Sequence, residues 1–293
     1  MLKRLTVSIL SLIILCVVPF VSSQENPKPF VFTAIPDQDP ERLQKRFGKV
    51  AQYLSDALGV EVTYLPVKSY SDTVKAFKNN KVQLAWFGGF TGVQARIAEP
   101  GAKAIAQGEG DQNFTSYFIA NKSTGLTPSK EFPRGIEGMT FTFGSEHSTS
   151  GRLMPEYFIR KAFGKPPAEV FSRVGFGGDH SNTLDLVQSG KYQVGALNHK
   201  VWENEKKAGK VDESKVQVIW KTPGYPDYNW TIRGDVDETW GNGFLDKVQQ
   251  AILNMRDPKL LAAFPRKGFI KADNSMYQPI VETAHEIGLL NNE

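Results

Sequence analysis

Three short segments of this 293-residue chain bring together glycine, hydroxyl and imidazole groups in patterns that could hold an anion. In Gly144-Ser145-Glu146-His147-Ser148-Thr149-Ser150-Gly151, three consecutive hydroxyls precede a helical pattern. An N-cap needs only one side chain. The surplus hydroxyls of Ser148, Thr149 and Ser150, with the free amides of a first helical turn, suit the oxygens of an anion without adding charge. The plainer alternative is a polar loop with an ordinary cap. A P-loop is excluded because its Gly-Lys-Ser/Thr ending is missing. In Trp86-Phe87-Gly88-Gly89-Phe90-Thr91-Gly92, paired glycines would let the backbone approach a ligand, and aromatic neighbours would keep water out. A tight turn between core aromatics reads the same way. The third segment, Gly175-Phe176-Gly177-Gly178-Asp179-His180-Ser181-Asn182-Thr183, puts His180 near a helix start, where it could donate to an anion. A lone histidine is more often a surface or capping residue.

Catalytic chemistry finds little support. The histidines His147, His180, His199 and His285 lack paired zinc spacing, and the single cysteine is Cys16. No Gly-x-Ser-x-Gly elbow is present. Nothing in the sequence positions Ser148, His180 and Asp179 as a triad. The chain is therefore expected not to be an enzyme and to use no metal and no cofactor.

The elements that must position these segments alternate in type. Residues 30–35 form a β-rich run. Asp39 and Pro40 then open a helix whose apolar residues Leu43, Phe47, Val50, Leu54 and Leu58 recur every three or four positions, and Gly59 closes it. Strands are predicted over 60–67, 82–87 and 104–106, with helices between them. After a strand at 115–120 the pattern restarts: strands at 140–143, 170–176, 192–197 and 216–220 alternate with helices at 151–162, 183–189 and 201–207. Helices at 244–255, 258–263 and 279–287 close the chain. Such alternation predicts an α/β fold with ligands beyond the carboxyl ends of the strands. Two units are expected, one from residues 28–119 with 226–293 and the other from 120–225, with crossings near 120–122 and 222–226.

Compartment and partners are constrained as well. Lys3 and Arg4, an apolar run over 5–20 and the small residues before Gln24 have the layout of a secretory signal peptide over residues 1–23. Its removal leaves 33 basic against 31 acidic residues, a net charge of +2. That near-balance gives no footprint for nucleic acid. An exported chain with no remaining cysteine must rely on its core, for which roughly 270 residues suffice. Such a protein would be periplasmic or secreted.

Together the three segments resemble the binding proteins of phosphate/phosphite/phosphonate-type ABC transporters, of the type II periplasmic binding-protein fold. Phe32-Thr33-Ala34-Ile35-Pro36-Asp37-Gln38-Asp39-Pro40 is similar to that family's first strand and turn, and Tyr70 with Leu84-Ala85-Trp86-Phe87-Gly88 continues the likeness. Ser148-Thr149-Ser150-Gly151 resembles its most specific motif, Gly178-Asp179-His180 its second-domain pattern, and Trp220-Lys221-Thr222-Pro223 its return stretch. The resemblance implies two mixed-sheet α/β domains closing on a small tetrahedral oxyanion, with a membrane permease and an ATPase as partners. It implies a site lined by Tyr70, Ser148, Thr149, Ser150 and His180, faced by Phe87, Gly88, Gly89 and Thr91. Tyr228 falls where phosphonate binders place an acid, although Asp227 could serve if the alignment slips by one. The loss of a buried carboxylate would suit sulfate, selenate or phosphite. The stretch from Trp86 to Arg96 also resembles a branch of selenate transporters. Three alternatives remain: a same-fold binder of an organic solute such as a thiamine precursor, stacked on Trp86, Phe87, Tyr225, Tyr228 or Trp230; a secreted hydrolase of phosphate or sulfate esters; and a sensory subunit that reports to a membrane receptor.

Overall fold

The structure, a computed structural model, describes residues 28–290. The expected signal peptide, with Cys16, lies outside the described residues. Among those described, no helix is long and apolar enough to cross a membrane.

Eleven strands and eleven α-helices are interspersed along the described residues. In order they are β1 (Phe30–Ala34), α1 (Pro40–Leu58), β2 (Val62–Tyr64), α2 (Tyr70–Lys78), β3 (Leu84–Phe87), α3 (Gly89–Ala98), β4 (Lys103–Gly108), β5 (Ser116–Asn121) and β6 (Thr140–Phe143). Then come α4 (Met154–Phe163), α5 (Pro167–Val170), β7 (Arg173–Phe176), α6 (His180–Gln188), β8 (Val194–Asn198), α7 (His199–Lys207) and β9 (Val216–Lys221). The last are β10 (Asn229–Ile232), α8 (Val236–Trp240), α9 (Phe244–Leu253), α10 (Pro258–Leu261), β11 (Phe269–Lys271) and α11 (Gln278–Glu286). Local chemistry explains many of the ends. Asp39 caps α1 by accepting from the Arg42 amide at 2.9 Å, and Gly59 ends it in the left-handed region at φ 71°.

Two mixed sheets result, in the orders β11-β4-β10-β3-β1-β2 and β7-β6-β8-β5-β9. In the first, β1 pairs parallel with β2 and β3, while β10 inserts antiparallel between β3 and β4. In the second, β6 runs parallel to β7 and β8, and β5 runs antiparallel to β8 and β9. Helices cover both sheets. The first sheet packs into one large core that includes Phe32, Phe47, Leu84 and Trp230, and the second has smaller clusters around Phe118 and Phe141 on one face and Leu184 and Trp202 on the other.

The chain passes between the sheets twice. Strand β5 pairs along its whole length with β8 and β9, so the first passage lies upstream of Ser116 and not at 120–122. The second runs through Thr222 to Asp227. The passages bond to each other, the Phe114 amide donating to Tyr225 O at 2.8 Å and the Tyr225 amide to Phe114 O at 3.0 Å. Beside them Gly224 leaves no room for a side chain, because an added Cβ would lie 1.4 Å from Asn113 Oδ1.

Three strands depart from the sequence expectation. Beyond the strand at 216–220 only helices are expected, yet β10 and β11 both join the first sheet there. Residues 170–176 were expected as one strand. Pro167, at the first position of α5, starts a helical turn, and only Arg173–Phe176 is extended.

Candidate ligand-binding site

The cleft between the lobes is built from helix starts and one irregular turn. Ser148 opens a π-helical turn over Thr149–Leu153, in which the Leu153 amide bonds to Ser148 O at 2.9 Å. Such a turn rotates its side chains off the ordinary helical path, and π-turns recur at functional sites. Ser148 Oγ accepts from the Gly151 amide at 3.0 Å. Gly151 itself is required by proximity, since a Cβ there would lie 3.0 Å from both His180 Cε1 and Ser148 Oγ.

His180 is the first residue of α6, which Asp179 caps by accepting from the Asn182 amide at 2.8 Å. Its imidazole is fully buried. Nδ1 receives the backbone N–H of Asn198 at 3.3 Å, so the ring proton belongs on Nε2. Nε2 faces the Tyr70 hydroxyl at 3.5 Å, across the cleft from the first turn of α2. Burial pushes the His180 pKa down to about 3, which keeps the ring neutral. Burial likewise raises the Tyr70 phenol well above its ordinary value, and it stays protonated. The pair therefore offers neutral N–H and O–H groups.

The start of α3 meets the same cleft. The Phe90 amide donates to Thr149 Oγ1 at 2.9 Å, and the Gly89 amide donates to Asp227 Oδ1 at 2.8 Å. At Gly88 an added Cβ would lie 3.1 Å from Thr149 Oγ1 and 3.3 Å from Asp227 Oδ1. At Gly89 one would lie 3.0 Å from Pro226 O. These contacts explain the paired glycines. Asp227 is buried and its Oδ2 has no hydrogen-bond partner. Burial raises its pKa to about 7, against the opposing pull of the Gly89 amide and the Thr149 hydroxyl. Ser150 joins through its carbonyl, which accepts from Ser116 Oγ at 2.7 Å, and Ser116 Oγ lies 2.6 Å from the Tyr225 hydroxyl.

Tyr70, Gly88, Gly89, Ser148, Thr149, Ser150 and His180 thus come together from both lobes. Three other expected residues do different work. Phe87 is a core side chain, edge-on to Phe77 at 5.6 Å. Thr91 uses its hydroxyl on its own helix start, accepting from the Gly88 amide at 3.1 Å and donating to Gly88 O at 3.2 Å. Tyr228 donates to Asp37 Oδ2 at 2.7 Å and accepts from Asn198 Nδ2 at 2.9 Å, while its ring stacks on Trp86 with centroids 5.4 Å apart. Its hydroxyl is thus engaged by two buried side chains, while the neighbouring Asp227 carboxyl meets the start of α3.

Asn198 opens the second-domain stretch where phosphonate binders place an acid, whereas Asp37 is not among the expected site residues. Asp37 was visible only as part of a turn, and burial raises its carboxyl to about 6, with Tyr228 and Arg266 opposing. The aromatic platform expected for a stacked ring is also taken up internally. Trp86 packs against Tyr228, Trp230, Phe264 and Phe269, and Tyr225 is tied to Ser116. Outside Tyr70 and His180 the cleft opens into a space of about 420 Å³ lined by Ser69, Ser71, Ser145, Gly177, Gly178 and Asp179.

Two α/β lobes joined by a paired double crossing, with neutral donors converging between them, define a two-lobed substrate-binding protein. The chain belongs to the family of periplasmic substrate-binding proteins of phosphonate ABC transporters, which residues 32–277 match. It is 40% identical over 269 residues, covering 89% of this chain and 91% of the other, to a probable ABC transporter phosphite binding protein, PhnD1, of Prochlorococcus marinus. The structure of that PhnD1 in complex with methylphosphonate superimposes with a TM-score of 0.86 over 90% of this chain and all of the other. The phosphonates-binding periplasmic protein of Escherichia coli is 25% identical, across 84% of this chain and 72% of its own. A binding protein component of an ABC phosphonate transporter from Pseudomonas aeruginosa, 20% identical, shares the fold with a TM-score of 0.77 over 88% of this chain and 85% of the other.

Proposed function

We propose that this chain, exported by the basic and apolar segment at its start, closes on a singly protonated tetrahedral oxyanion of the phosphite and alkylphosphonate class and presents it to an ABC permease and its ATPase. The observation that carries this reading is Asp227, a buried carboxyl with one oxygen unpartnered beside the Ser148-Thr149-Ser150 turn. A buried carboxylate repels a fully ionised anion but accepts a hydrogen bond from a protonated one. Phosphite and alkylphosphonates still carry a proton near neutral pH. Sulfate and selenate do not, so the expectation of a fully deprotonated anion is given up.

The remaining groups fit the same ligand. Tyr70 O–H, His180 Nε2–H and the hydroxyls of Ser148, Thr149 and Ser150 are donors without charge, supporting recognition of oxyanion oxygens without a metal. The relative PhnD1, described as a probable phosphite binding protein and solved in complex with methylphosphonate, supports the ligand class. Docking on one lobe followed by closure about the Phe114–Tyr225 pair supplies the change that a permease would recognise. Titration calorimetry of the mature protein tests the proposal. Phosphite or methylphosphonate should bind at one site, and sulfate and selenate at least about a hundredfold more weakly, as expected when a buried acceptor must face an ion with no proton. Equal or tighter binding of sulfate or selenate would reject the assignment.

A further inference from the structure

A second set of charges spans the two lobes away from the anion-binding side chains. Arg42, on α1 of the first lobe, donates through Nη1 to Glu205 Oε1 at 2.9 Å, and Glu205 lies on α7 of the second lobe. The Glu205 carboxylate is 2% exposed and the Arg42 side chain 26%. Within its own lobe Glu205 accepts from Ser181 Oγ at 3.2 Å and lies 3.6 Å from Lys210 Nζ. Ser181 immediately follows His180, so the first turn of α6 turns one side chain to Tyr70 and the next to the carboxylate that reaches Arg42. One helical turn beyond Arg42, Arg46 keeps a buried Nη1 without a hydrogen-bond partner, in the attractive field of Glu205 and Asp37.

We infer that Arg42 and Glu205 form an ionic latch that sets ligand affinity by holding the lobes closed, without touching the ligand. The bridge exists only when α1 and α7 are together. When the lobes separate, Arg42 and Glu205 regain water and Glu205 keeps only its partners within the second lobe. An interaction present in one conformation and absent in the other shifts the population between them. Apparent affinity scales with the fraction of protein in the closed form. The latch therefore slows ligand escape, while first docking on one lobe is unaffected.

The inference rests on the lobe closure proposed above, and its test is a double-mutant cycle with methylphosphonate as the probe. R42Q and E205Q should each weaken binding about threefold to tenfold, the range of a partly exposed ion pair between lobes. The double variant should be no weaker than the weaker single one. Additive losses, or an R42Q affinity within twofold of the parent, would overturn the latch. Arg42 is at the surface of α1, so R42Q gives a reading even if E205Q fails to fold. Spin labels at K81C and K161C, one on each lobe, supply a readout without ligand. R42Q should shift the distance distribution of the ligand-free protein toward longer separations, and an unchanged distribution would also overturn the proposal. Failure of the parent to bind methylphosphonate would count against the ligand class, leaving the label distances to decide on the latch.

Discussion

The Tyr228 hydroxyl donates to Asp37 Oδ2 across 2.7 Å, with both residues buried behind the ligand cleft. Burial raises the Asp37 pKa from 3.8 to about 6, and the Tyr228 bond partly offsets that rise. The folded state therefore holds this proton more tightly than the unfolded chain. The Asp37 contribution favours folding at low pH and is lost as pH rises from about 4 through 6. Y228F removes the donor to the ionised carboxylate. It should destabilise by ~1–3 kcal/mol at pH 7.5 and by less at pH 5, where Asp37 is protonated. Urea unfolding at the two pH values measures the difference, and equal losses would show that the bond is not coupled to Asp37 ionisation.

Asp227 makes a different prediction, about selectivity. D227N replaces an acceptor oxygen with an amide that can donate. Affinity for phosphite and methylphosphonate should fall roughly tenfold to a hundredfold, as expected for one charge-assisted hydrogen bond. Sulfate, which needs only donors, should bind the variant relatively better. Calorimetry with the same anions on parent and variant gives the ratio, and an unchanged ratio would remove Asp227 from ligand discrimination.

The hydroxyl turn can be tested directly. S148A combined with T149A should cost at least about tenfold in affinity through the loss of two hydroxyl donors. It also removes the Thr149 Oγ1 acceptor of the Phe90 amide, one of the bonds across the lobes. A faster ligand off-rate is therefore expected along with the weaker binding. Wild-type affinity in this variant would place the anion elsewhere in the cleft.

His180 should be silent as a titrating group. Its Nδ1 is occupied as an acceptor and its pKa is pushed down to about 3. Nitrogen-15 shifts of the imidazole should report the Nε2–H tautomer throughout pH 5 to 8. A charged ring anywhere in that range would mean that an ionic contact holds the anion.

The sequence makes some of these parts plain and hides others for physical reasons. Helix α1 is legible because an apolar stripe, an aspartate cap and a left-handed glycine all point to the same boundaries. Strand β10 is not. Its four residues Asn229-Trp230-Thr231-Ile232 gain their extended form by pairing with β3 on one side and β4 on the other, partners more than a hundred residues away. The hydroxyl turn and His180 stand out through composition. Asp227 stayed ambiguous against Tyr228 because neighbouring residues on an extended passage face opposite ways, and only the folded chain tells which side meets α3. The tight-turn reading of Trp86 to Gly92 accounts for its aromatic side chains, which lie in the core, while Gly88 and Gly89 also face close contacts with Thr149, Asp227 and Pro226 that residue type alone does not reveal.

The pairing of Phe114 with Tyr225 also bears on how the molecule moves. Two connecting segments joined by a reciprocal pair of backbone hydrogen bonds are tied at one point, which resists their sliding past one another. A link of this kind would favour a door-like swing of the lobes over shear. On such a swing α1 and α7 would part along one arc, and the proposed Arg42–Glu205 latch would meet again in the same register each time the cleft closes.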